Sequence, residues 1–323
     1  MRHERMAGIA LISVLLAVAL VATISAGLIA RQHIEIRRTT NLLHAHKAYQ
    51  YALGVESWAT RLLSRDLLEG QGNRIDHLSE AWARSLPSTE VAGGMLTGRI
   101  EDLQARFNLN NLRLENPDDK GTWHGDLACF RELLQQCRLE PHLVWPVVDW
   151  IDGGDRDGTS PGGAEDYEYL GLEIPYRTAN RPMADPGELI LVRGFDYDGY
   201  LCLLPFVSAL PGRVPINVNT ASARVLMARI DGMTETQAEQ VTERRKTEPY
   251  QSVGGFTEYL KTIGAPVPEG KDRFDEGSIG VASDYYRIVA SARTGNTRMD
   301  LFTRIERLEN GKIRVLSRSR ADF

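Results

Sequence analysis

At 323 residues, with 42% hydrophobic and 25% charged side chains, the chain has the make-up of an ordinary folded protein of one large or two modest domains. Its net charge of -5 and pI of about 5.9 give no general attraction to nucleic acid and disfavour a protein that binds by neutralising phosphates. Three cysteines, Cys129, Cys137 and Cys202, contain no C-x-x-C and so offer no redox motif.

The first predicted element carries the most information. A short charged leader, Met1 to Gly8, runs without a spacer into the uncharged stretch Ile9–Ala30. Its 22 residues would make a helix of about 33 Å, enough to cross a bilayer. Arg2 and Arg5 precede the run, which by the positive-inside tendency keeps the leader cytoplasmic and exports the rest. A cleaved secretory signal would have a shorter apolar core ending in a small-residue site, which Ile24-Ser25-Ala26 matches poorly. Beyond Ala30, apolar residues recur at Ala45, Ala48, Ala52, Val55, Ala59, Leu62 and Leu63, three and four apart. The spacing predicts that the helix continues, now amphipathic, to about Leu68.

Thr97 to Leu114 mixes both periods and reads as a short strand, closed by the breaker Asn116-Pro117-Asp118-Asp119. Thr122 to Trp150 is helical in pattern, residues 150–215 are rich in Gly and Pro, and residues 216–263 turn helical again. Cys129 and Cys137 fall in the first helical stretch. Eight apart on a straight helix they would stand about 12 Å from each other, too far to bridge, so the pairing stays open. Three strands close the chain: Tyr285–Thr294, Arg298–Leu308 and Lys312–Ser319, separated by Gly295-Asn296 and by Glu309-Asn310-Gly311. The strand near residue 100 is expected to join them in one sheet.

Two segments could carry chemistry. From Asp149 to Asp166 six carboxylates fall within 18 residues, interleaved with glycines. They repel one another unless a cation sits among them, and Ca²⁺ suits a flexible loop of Asp, Glu and carbonyl oxygens. The candidate ligands are Asp152, Asp155, Asp157, Glu165 and Asp166. The segment is not an EF-hand: with Asp155 and Asp157 at loop positions three and five, Gly153 and Ala164 would occupy the two end positions. The plain alternative is a solvated acidic turn. Trp145, Trp150, Tyr167 and Tyr169 are expected to pack the core beneath this loop.

The second segment runs from Ile216 through INVNTASARVL to Arg244-Arg245 and Phe256–Leu260, and is similar to helix-hairpin-helix modules. Its hairpin, Asp231-Gly232-Met233, puts an acid where a phosphate would have to sit, so a structural helix pair is the expectation. No G-x-S-x-G, phosphate loop, G-x-G-x-x-G or H-E-x-x-H is present, and the seven histidines are scattered.

The Ala7-Gly8 junction before Ile9-Ala-Leu-Ile resembles a type IV prepilin leader, with Ser13 at the fifth mature position where most pilins carry Glu. Together with GRIEDLQARFNLNN, VVDWIDGGD, GGAEDYEY, PYRTANRPM, LPFVSALPG and INVNTASARVL, it is similar to the minor pseudopilin K family of type II secretion systems. The resemblance implies a mixed α/β (α+β) type IV pilin-like fold. Its parts are a leader at 1–8, a long N-terminal helix at 9–68 (transmembrane over 9–30), a small antiparallel sheet, and a large inserted α-helical domain. The body is placed at 69–114 and 279–323, the insert at 115–278. Further implications are processing between Gly8 and Ile9 by prepilin peptidase with methylation of the new N-terminus, bound Ca²⁺, and residence in the inner membrane with the bulk of the chain in the periplasm. The partners implied are minor pseudopilins I and J and further pseudopilins of the same system, with no nucleic acid. The role implied is non-enzymatic, capping and helping to start a pseudopilus. The alternatives are a membrane-tethered helix-hairpin-helix DNA-binding protein of a competence pilus and an anchored periplasmic hydrolase.

Overall fold

The structure is a computed structural model and describes residues 2–69, 74–114, 120–153, 160–267 and 278–320. Helix α1 spans Arg2–Glu69 without a break. In its first half the large apolar residues from Leu11 to Ile29 are between 52% (Ile29) and 70% (Leu16) exposed, in a stretch of mean hydropathy 2.5. An aqueous protein does not leave such a surface bare, so this helix suits a bilayer or a bundle of like helices. In the second half Ala48, Ala52, Val55, Ala59 and Leu63 form one buried stripe.

That stripe lies on a five-stranded antiparallel sheet. Strands β1 (Leu86–Val91) and β2 (Gly94–Asp102) form its first hairpin. The chain then leaves the sheet at Asp102, upstream of the expected boundary at residue 115. The excursion contains β3 (Phe107–Asn108), α2 (Lys120–Gln136), α3 (Val144–Ile151), α4 (Asp166–Leu170), α5 (Tyr197–Leu203), β4 (Val207–Ser208) and β5 (Ile216–Asn217). It continues with α6 (Ala223–Arg229), α7 (Glu235–Thr247), α8 (Val253–Thr262) and β6 (Ile279–Gly280). The chain returns as β7 (Tyr285–Thr294), β8 (Thr297–Arg307) and β9 (Ile313–Ser319), and the sheet order is β1-β2-β7-β8-β9. Close approach of α1 depends on small side chains. A Cβ on Gly98 of β2 would overlap the Val55 side chain.

Asp102 ends the predicted strand well before Leu114, and the reason is local. Asp102 Oδ1 accepts from Gln104 N at 2.8 Å and Asn108 Oδ1 from Asn110 N at 3.3 Å, each side chain capping a 3-10 turn in place of a strand bond. The same asparagines hold the insert together: Asn110 Nδ2 donates to Met183 O and Leu210 O, and Asn111 Nδ2 to Val214 O. A second polar seam joins insert to sheet. Asp102 Oδ2 accepts from Thr220 Oγ1 at 2.6 Å and Ser283 Oγ at 2.7 Å, and Asn217 Nδ2 donates to Asp76 O and Ser283 Oγ.

The insert has its own core, in which Phe107 stacks on Phe130 and Val144, Val147, Val225, Val241 and Phe256 are fully buried. Cys137 just beyond α2 is joined to Cys202 of α5 by a disulfide, with a Cα–Cα distance of 5.8 Å. Cys129 is free and buried in the same core, and burial pushes its thiol pKa up to about 12.

Candidate metal centre

Helix α3, VWPVVDWI, is apolar almost all round, and every residue except Trp145 is buried. Asp149 therefore arrives at its last turn fully enclosed, at 0% exposure. Asp152 caps the helix and, three residues on, shares the face of Asp149. The chain comes back through Ser160–Gly163, where Ser160 N donates to both Asp149 carboxylate oxygens at 3.2 Å. Gly163 passes so close over Asp149 that a Cβ there would overlap Oδ2. Glu165 follows as the N-cap residue of α4, with both carboxylate oxygens shut off from solvent.

Carboxylate oxygens of Asp149, Asp152 and Glu165 thus come within 4.8 Å of one another. Burial pushes the Asp149 carboxyl above its usual range, against the pull of its bonds from Ser160 and Ala164. Three carboxylates gathered here, Asp149 and Glu165 buried and Asp152 partly so, offer the kind of oxygen ligands that a hard divalent cation takes. The residues fit Ca²⁺ better than Mg²⁺, because the cluster is set by loop ends and not by a rigid octahedron.

Of the predicted ligands the structure brings Asp152 and Glu165 together. Asp155 and Asp157 lie outside the described residues. The Asp166 carboxylate is engaged elsewhere, accepting from Thr178 N at 3.0 Å and Thr178 Oγ1 at 2.8 Å, with Arg177 at 3.4 Å. Asp149 is the member that the predicted set lacked, although its spacing to Asp152 carried the signal. Trp150 and Tyr169 do form the floor, edge to face at 5.4 Å, but Tyr167 is 87% exposed and Trp145 is only partly covered. Glu165 and Tyr169 share one face of the short helix α4, which turns Tyr167 outward.

Two basic residues of the helix-hairpin-helix segment face inward. Arg245 is buried and donates to Val218 O at 2.8 Å, and Arg244 lies between the rings of Tyr250 and Tyr259 at 4.9 and 4.7 Å. In the hairpin, Met233 N is bonded to Ile230 O. These groups hold the insert together and are not presented to a phosphate.

Two family models, both described as type II secretion system (T2SS), protein K, match residues 105–212 and 216–273. The type II secretion system protein K of Pseudomonas aeruginosa is 40% identical, covering 96% of this chain and 92% of its own length. The chain belongs to the type II secretion system protein K family. The protein K of Aeromonas hydrophila is 31% identical over 98% of this chain and 97% of its own. Among solved structures, a chain of the GspK-GspI-GspJ complex from the enterotoxigenic Escherichia coli type 2 secretion system superposes with a TM-score of 0.76, at 25% identity, over 88% of this chain and 100% of that one. Protein K membership makes the minor-pseudopilin role the function of this chain, and the long apolar helix, small antiparallel sheet and additional helices are the fold of that relative.

Proposed function

We propose that this chain caps the pseudopilus of a type II secretion system and helps to start its assembly, as a structural subunit and not an enzyme. The observation that carries the reading is where the insert stands. Ile100, Tyr286 and Ile288, at the end of the sheet from which the insert leaves, pack on Ala59 and Leu63, the distal part of α1. Ala290, Ala292 and Leu301 pack on Ala48 and Ala52, nearer the apolar segment. The insert therefore grows from the end of the body farthest from the membrane helix, where a subunit stacked above would collide with it. Ser13 in place of Glu removes a partner for a neighbour's N-terminal ammonium, which also suits a terminal position.

In this reading Ile9–Ala30 anchors the precursor in the inner membrane, the bulk lies in the periplasm, and prepilin peptidase cuts after Gly8. The partners are minor pseudopilins I and J, in keeping with the likeness to GspK in its complex with GspI and GspJ. Asp149, Asp152 and Glu165 would hold Ca²⁺, which takes their oxygens as ligands and ties the end of α3 to the start of α4. Intact-mass measurement and N-terminal sequencing of the protein from cells with and without prepilin peptidase test the assignment. A chain starting at N-methylated Ile9 only when the peptidase is present is the expected result. An uncut Met1 in both strains, or a cut near Ala26, would overturn it.

A further inference from the structure

We infer that the outer face of the sheet, opposite α1, is a docking trough for an acidic polypeptide segment of another protein. Side chains alternate across a strand, so the residues neighbouring the α1-facing ones make up this face. Two concavities of about 590 and 800 Å³ lie on it and meet at Phe302. The second is walled on one side by the insert, through Leu191, Tyr197 and Leu201.

Arginines recur across the floor, Arg99, Arg293 and Arg298 in the first concavity and Arg106, Arg287, Arg304 and Arg318 in the second. Arg287 of β7 stands directly opposite Arg304 of β8, and Arg293 directly opposite Arg298. Like charges placed directly across a ladder destabilise a sheet. Glu101 serves Arg99 at 2.7 Å, Arg106 at 3.2 Å and Arg287 at 2.7 Å, Arg304 pairs with Asp185 at 3.5 Å, and Arg298 with Asp300 at 3.0 Å. The compensation stops short at Arg293. Arg293 donates to Gly295 O and has no carboxylate partner among the described residues. A sheet that keeps two opposed arginine pairs around an apolar cleft is complementary to an occupant that brings carboxylates and an apolar side chain.

Anionic lipid is the competing source of negative charge, and the geometry disfavours it. The turn beside Arg293 and Arg298 packs against His44, since a Cβ on Gly295 would meet that imidazole. His44 is fourteen helical residues beyond Ala30, about 21 Å along α1. Headgroup charge is screened within about 8 Å at physiological salt.

The test uses the full chain in detergent with fluorescein-labelled poly-L-glutamate, read by anisotropy. The double variant Arg293→Ser with Arg298→Ser is compared with a control that removes two exposed charges elsewhere, Arg61→Ser with Lys261→Ser. The expected result is a loss of affinity of about tenfold or more for the trough variant only, with wild-type binding weakening as salt rises. The thermal midpoint of the trough variant should equal or exceed that of the wild type, because a repulsion is removed. Equal losses in both variants, no loss in either, or a lowered midpoint, which would make the arginines supports of the sheet, each overturn the proposal. So does retention on phosphatidylglycerol vesicles that needs Arg293 and Arg298 when poly-L-glutamate is not bound.

Discussion

Asp149 holds its charge in an unfavourable place, fully buried beside Asp152 and Glu165. Asparagine at this position keeps the shape and removes one of the three charges. In the metal-free chain Asp149→Asn should therefore be neutral or stabilising. With calcium the order reverses: the wild type should gain about 2–3 kcal/mol at a hundredfold excess over Kd, and the variant little. Thermal melts in calcium and in EDTA measure this, and a wild-type midpoint indifferent to EDTA would count against the metal centre. The acidic run made the location legible from sequence. The choice among its carboxylates was not, because it depends on which side chains α3 turns inward and on how closely Gly163 can cross over Asp149.

At the scale of elements, the sequence patterns were most informative where one face packs on one partner. The heptad-like stripe from Ala45 to Leu63 and the alternation in β7 and β8 are such cases, and their predicted bounds lie close to the observed ones. Between residues 103 and 114 the pattern failed, because asparagine and aspartate side chains bond the backbone locally and curl it into 3-10 turns. The disulfide joins cysteines 65 residues apart, one just beyond α2 and the other in α5, which no spacing rule could pair. Cys202→Ser, or reduction, should destabilise the insert by about 2–5 kcal/mol, seen as a lower denaturant midpoint. Cys129 should stay unreactive toward thiol reagents until the chain unfolds, since its thiol is buried with a pKa of about 12. Rapid labelling of the native protein at Cys129 would contradict the packing described for α2.

Across the whole molecule, polar seams hold the parts in register. Arg307, 1% exposed, donates Nη1 to Asp66 of α1 at 3.0 Å, Nη2 to Asp76, and Nη2 to Ser283 O at 2.9 Å, so the end of the helix, the following loop and the sheet share one cation. Glu80 sits at the edge of this group, accepting from His77 N at 2.9 Å and Trp82 Nε1 at 2.6 Å. Burial, aided by Asp66 and Asp76, pushes its pKa up to about 7 from 4.5. A raised carboxyl pKa means that the folded chain binds a proton more readily than the unfolded one. Its contribution therefore favours folding below about pH 4.5 and declines as pH rises to 7, above which the full penalty is present. Glu80→Gln keeps the acceptor oxygen and should raise stability at pH 8 by about 1–3 kcal/mol while leaving it nearly unchanged at pH 4. Denaturant titrations at the two pH values decide it; equal changes at both would rule out the ionisation.

The bilayer-length apolar run, the α1 stripe and the C-terminal strands are all written locally. Each depends on short-range periodicity or composition, so the linear sequence determined them and, with the motif order, the family. What only the tertiary structure decided involves residues far apart in the chain. The meeting of Asp149 with Glu165, the Cys137–Cys202 bridge, the Asp102–Asn217–Ser283 seam and the opposed arginines of β7 and β8 all follow from packing and strand register. A buried polar group must find its partner in space, and no one-dimensional pattern states which distant segment will supply it.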